Sequence, residues 1–129
     1  MDGEDIIHQF ESGLISAESF HHAGHVQLAF AYLTKYPVLQ ALEKFVVALR
    51  RFATAQGKTR LYNETITFAY FFLIRERMAR RSVSDWNEFC LQNPDLLTWR
   101  DGILNRYYDR ATLQSDLART VFVFPDKLS

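Results

Sequence analysis

The stretch "LYNETITFAYFFLIRERMARR", residues 61–81, constrains this chain more than any other. From Ile66 to Ile74 it is apolar but for Thr67, and it closes on a basic run. At about nine residues, the apolar part is well short of the ~20 that cross a bilayer, so no membrane partner is expected. Its β-branched and aromatic residues also suit a strand. The pattern runs on through Arg81, which favours a helix over Leu61–Arg81. The first half of such a helix is apolar on every side and must be surrounded. It is therefore expected to be the central, most buried member of a bundle.

The rest of the chain supplies its neighbours. A short helix is predicted from about Asp5 to Ser12, ending at Gly13. A second spans about 20–36, with Ser16 or Ser19 as candidate cap, and Pro37 stops it. In the third, 38–56, the residues Leu42, Phe45, Val46, Leu49 and Phe52 recur at three- and four-residue steps and make one apolar stripe. Gly57 is placed to end it. Ser84 reads as the cap of a fifth helix, "DWNEFCLQN", ended by Asn93-Pro94. A sixth covers about 95–107 and a seventh about 111–118, leading into an extended "TVFVFPD" laid on the bundle. The expected fold is all-α: one domain over 1–129, a bundle of six or seven helices with short connections.

Composition narrows the function classes. Fifteen basic and fifteen acidic residues balance, so the electrostatic footprint of a nucleic-acid binder is missing and no nucleic-acid partner is expected. The single cysteine, Cys90, permits neither an intrachain disulfide nor a CxxC metal site, and a reducing cytoplasmic setting fits it. The N-terminal "MDGEDIIHQF" is acidic and has no apolar core of signal-peptide length. No HExxH, GxSxG, P-loop or GxGxxG motif occurs.

The chemistry concentrates in "SFHHAGHVQLAFAYL", residues 19–33, which holds three of the four histidines. At ~100° per residue, His22, His25, Val26, Ala29, Leu33 and Tyr36 share one face, while His21 lies off it. Two histidines three apart on a helix are surface neighbours and can ligate one ion. The positive end of the helix dipole also disfavours imidazolium and keeps the metal-binding neutral form. The alternative is a pair of histidines merely hydrogen-bonded at a helix end.

Short connections make consecutive helices antiparallel. The start of the fourth helix is thereby brought to the histidine end of the bundle. Glu64, there, shares a face with Thr67, Phe68, Phe71 and Met78. A carboxylate heading an apolar face needs a partner: a metal, a histidine or an arginine. A first-turn glutamate also complements the helix dipole on its own. Two histidines and one carboxylate form a recognised open metal set. The expectation is a divalent transition metal (Zn, Ni or Fe) held by His22, His25 and Glu64, with Glu64 as ligand or general base. His21, Tyr62, Asn63 and Asp116 are accessory candidates.

At these residues the chain resembles a bacterial family of small uncharacterised helical proteins. Its first motif, F-x-H-x-x-H-V-x-L-A, is met by Phe20, His22, His25, Val26, Leu28 and Ala29. Its second, Y-H-E-T-[IL]-T, is met by Tyr62, Glu64, Thr65, Ile66 and Thr67. The likeness extends through "NPDLL" and "RYYD". It implies a helical fold and no assigned reaction, and His22, His25 and Glu64 carry over directly. Asn63 stands where the family has histidine, which implies a weaker or altered metal site here.

Two other readings remain open. A metal-free module would hold a small anion at the two helix starts, near Lys58 and Arg60. A protein-interaction domain, such as a homodimer, would use exposed aromatics. Arg75, Arg77, Arg80 and Arg81 read as a solvated basic helix end. The aromatics and arginines of "WRDGILNRYYD" read as packing residues with hydrogen-bonded polar ends, and Cys90 as a small buried apolar residue.

Overall fold

A computed structural model describes residues 3–16, 18 and 20–127. Among them are seven α-helices and no strand. They are α1 (Gly3–Glu11), α2 (His22–Lys35), α3 (Val38–Ala55), α4 (Glu64–Arg81), α5 (Trp86–Gln92), α6 (Arg110–Leu113) and α7 (Asp116–Thr120). Three 3-10 turns, Thr59–Leu61, Pro94–Leu96 and Ile103–Arg106, join them. None of these helices is long and apolar enough to cross a membrane. The all-α bundle expected from the pattern is the architecture observed.

The centre of the bundle is α2, which packs on α1, α3 and α4. Five consecutive residues, Leu28–Tyr32, are buried. Small side chains at Ala29 and Ala31 let neighbouring helices approach from more than one side. The first half of α4 has no exposed residue from Glu64 to Phe71, as its composition requires. It is nevertheless not the one central helix, because Phe72 opens to solvent.

Helix ends shift the predicted boundaries by local capping chemistry. The N-cap of α2 is His21, whose side chain makes no capping bond, and Ser19 lies outside the described residues. The fourth helix starts at Glu64 rather than Leu61 because Asn63 Oδ1 accepts the Ile66 N–H at 2.9 Å. The cap of α5 is Asp85, not Ser84, through the Glu88 N–H at 3.0 Å. Gly57, at φ 68°, ends α3 as expected.

The predicted sixth helix is two 3-10 turns. Asp101 adopts φ 52°, and a Cβ on Gly102 would meet the Thr98 carbonyl oxygen at 2.7 Å, so the chain bends there instead of continuing. The predicted seventh is split as well, because the Ser115 hydroxyl accepts the Ala118 N–H and starts α7 afresh.

The C-terminal extended segment lies on α4 through one fully buried threonine. Thr65 Oγ1 donates to the Val121 carbonyl at 2.9 Å and accepts the Val123 N–H at 3.0 Å. Thr65→Val keeps the shape and deletes both bonds. It is expected to cost about 1–3 kcal/mol, the penalty of unpaired buried polar groups. The check is a urea midpoint, with amide exchange at Val123 accelerated well beyond that of α2. Unchanged exchange at Val123 would show that the clip holds nothing.

Candidate functional site

The site begins at the first residue of α2. His22 Nε2 donates to the Leu96 carbonyl at 2.8 Å, which ties the start of α2 to the Pro94–Leu96 turn. That turn is itself pinned to α4. Arg77 makes a two-pronged contact with Asp95 at 2.8 and 3.1 Å and donates to Asn93 Oδ1 at 2.8 Å. Arg77 is thus not a solvated helix-end residue, as its basic run suggested. Its guanidinium orients the backbone that orients His22, and it holds the Asp95 carboxyl below its ordinary range.

Aromatic rings complete the surroundings. The His22 ring meets Tyr70 edge-on at 4.8 Å and Trp99 at 5.1 Å. Trp99 is 58 % exposed and forms an open shelf over the imidazole. Burial, together with the Asp95 charge, pushes the Tyr70 hydroxyl up to about 12. His25, one turn along α2, lies against Phe20 at 4.2 Å between ring centroids. Burial, helped by the charge of His22, lowers its pKa to about 4. Burial lowers His22 also, partly offset by the Leu96 bond. Both imidazoles are therefore neutral at pH 7.

Glu64 does not join them. Its Oε1 accepts from the Tyr62 hydroxyl at 2.6 Å and from Arg50 at 3.3 Å, and the Arg50 guanidinium lies 5.0 Å from the Tyr62 ring centroid. Burial and the neighbouring Glu64 carboxylate push the Tyr62 hydroxyl up. The alternation of helix directions holds: the late residue Arg50 of α3 meets the first residue of α4. The register is what differs. His22 packs beside Tyr70, six residues after Glu64. That offset is roughly 9 Å along the helix and about 120° around it. Glu64 consequently faces α3 while Tyr70 faces His22.

The accessory candidates are also engaged elsewhere. Asn63 caps α4 and donates from Nδ2 to the Leu113 carbonyl at 2.8 Å. Asp116 is exposed and pairs with Arg60 at 3.3 Å and Arg119 at 3.1 Å, which removes Arg60 from a free anion site. His21 is exposed, as its position off the stripe predicts. Among the described residues, no group of three His, Cys, Asp or Glu side chains is gathered as a metal ion would need. Open grooves of about 270 and 410 Å³ are lined by other residues, at Leu33–Val83 and Val47–Ala55.

The residues missed from sequence are Tyr70, Trp99, Arg77, Asp95 and the carbonyl of Leu96. The one available signal was "NPDLL", which supplies three of the groups at the turn. Compared with protein-family models, with curated proteins and with solved structures, the chain matches none.

Proposed function

We propose that this chain binds a divalent transition metal ion at the imidazole pair of His22 and His25, without Glu64. The supporting observation is the His22–Leu96 bond. A carbonyl only accepts, so Nε2 must carry the proton and Nδ1 keeps its lone pair. Metal-bound histidines are oriented in this way by a backbone carbonyl on the other ring nitrogen. The lowered pKa of His25 removes proton competition at neutral pH. Imidazole donors suit zinc, nickel and iron. The resemblance of residues 20–29 to the first family motif also supports these two positions. A bound ion of this class would acidify water in its open positions.

The test is calorimetry with nickel and zinc on tag-free protein, beside elemental analysis of the protein as purified. One ion per chain is expected. His22→Ala and His25→Ala should each weaken binding by at least about tenfold, the scale of losing even an outer partner. Glu64→Gln should leave it unchanged. Metal content no greater than that of His22→Ala would end this reading. Loss in Glu64→Gln alone would return the carboxylate to the ligand set.

A further inference from the structure

The handover from α2 to α3 leaves an open groove of about 270 Å³ beside the end of α4. Only Tyr36 and Pro37 separate the two helices, and Pro37 cannot continue the first. The turn supplies Leu33, Tyr36 and Pro37 to the groove. From α4 come Arg75 and Met78, three apart and so on one face. Val83 adds to the lining, and its position is fixed. Ser82 takes a left-handed φ of 52°, and the N–H groups of Ser82 and Val83 both donate to the Met78 carbonyl. The groove is thus bounded by two helices and a hydrogen-bonded helix stop, and is formed before any ligand arrives.

We propose that this groove binds a small carboxylic acid with an apolar body, its carboxylate on Arg75. Among the described residues lining the groove, Arg75 is the only charged one. It is exposed and makes no hydrogen bond or ion pair among the described residues. The carboxylates nearby on the same helix and turn are taken by other arginines: Glu76 by Arg80 at 3.0 Å and Asp95 by Arg77 at 2.8 Å. The surrounding charge has the same sign as Arg75. Lys44 Nζ lies 4.7 Å, and Lys35 Nζ 5.6 Å, from the centroid of the Tyr36 ring, itself part of the lining. A guanidinium fork matches a carboxylate in geometry as well as in charge.

Size and lining select the rest of the ligand. The groove holds roughly nine water volumes, which is room for about as many heavy atoms. A helix of a partner protein, about 10–12 Å across with its side chains, does not fit. A sugar or nucleoside would turn part of its polar surface onto Leu33, Met78 and Val83 with nothing there to bond it, which is costly. An alkyl or aryl chain meets the same side chains favourably. The flexible thioether of Met78 adapts to either shape.

The experiment is titration of the whole chain with octanoate, followed by calorimetry and by the NMR shift of the Met78 methyl group. One octanoate per chain is expected, with a Kd of about 1 mM or tighter. Octanol, uncharged, and octylamine, of opposite charge, should each bind at least about tenfold more weakly, the scale of a hydrogen bond to a charged group. Arg75→Gln should weaken octanoate to the same degree and keep its far-UV circular dichroism. Ala79→Trp, at an exposed lining position, fills the groove and should abolish binding with Arg75 intact. Should Arg75→Gln lose its helical signal, Ala79→Trp and the octanol comparison decide. Absence of saturable binding up to about 10 mM octanoate, well above the expected Kd, overturns the proposal. So does equal binding of octanol, or octanoate binding that survives Arg75→Gln or Ala79→Trp unchanged. Leu33 lies eleven residues beyond His22 on α2, roughly 16 Å along the helix, so neither result bears on the histidine pair.

Discussion

Acidification from neutral pH to about pH 4 is expected to remove roughly 3 kcal/mol of folding stability through His25 alone. The direction follows from where the proton goes. In the unfolded chain the imidazole titrates near its ordinary 6.5; in the folded protein it resists protonation down to about 4. Above 6.5 neither state binds the proton and the full stability is present. Between the two values the unfolded state gains a proton that the native state refuses, and stability falls with every step of pH. Below about 4 both states are protonated and this loss stops growing.

Burial of His22 adds to the loss with the same sign. The Asp95 carboxyl, held low by Arg77, contributes stability that is fully present above the ordinary carboxylate range and is lost as pH falls through it, below the main histidine window. Urea midpoints measured between pH 7 and pH 4.5 isolate the histidine window. His25→Phe keeps a ring against Phe20 and removes the titration, so its stability should be far flatter with pH. Equal slopes in wild type and variant would show that His25 is not held neutral by its surroundings.

The second large effect separates two adjacent residues of α4. Phe71 is fully buried, with the Phe45 ring of α3 at 5.9 Å. Phe72, the next residue, is 44 % exposed. Phe71→Ala is expected to cost about 3–5 kcal/mol, from lost transfer energy plus the cavity left between α3 and α4. Against a total of roughly 5–15 kcal/mol for a domain, that leaves little reserve. The melting temperature should drop on the order of 10 °C or more. Phe72→Ala should cost less than about 1 kcal/mol, since much of its ring is already in water. Thermal melts of both variants at pH 7 check this. Similar losses at the two positions would mean that α4 is rotated from the orientation described.

The fold class was legible because hydrophobic periodicity and punctuation are local. The stripe through Leu42, Phe45, Leu49 and Phe52 and the Gly57 stop each need only nearby residues to be read. Where two local signals competed, the reading failed: Ser84 and Asp85 are both good caps, and the backbone bond to Asp85 is what distinguishes them. The run 95–107 looked helical because nothing in its spacing reveals that Gly102 is crowded by the Thr98 and Trp99 carbonyls.

The candidate site divides along the same line. Membership of His22 and His25 in one helical face, off which His21 falls, is a property of 3.6-residue geometry, and residues 20–29 are enough to read it. Whether Glu64 meets them depends on how far α4 slides along α2. That is decided by packing contacts such as Tyr70 on His22 and Arg50 on Glu64, between residues far apart in the chain. A shift of less than two turns between helices leaves every local pattern unchanged, yet moves a carboxylate by more than a metal bond can span. The sequence by itself therefore determined the all-α class, the first five helices to within a few residues of their ends, their alternation and the paired imidazoles. Tertiary packing alone decided which carbonyl and rings surround them, because register between helices is an energy of many distant contacts and has no local signature.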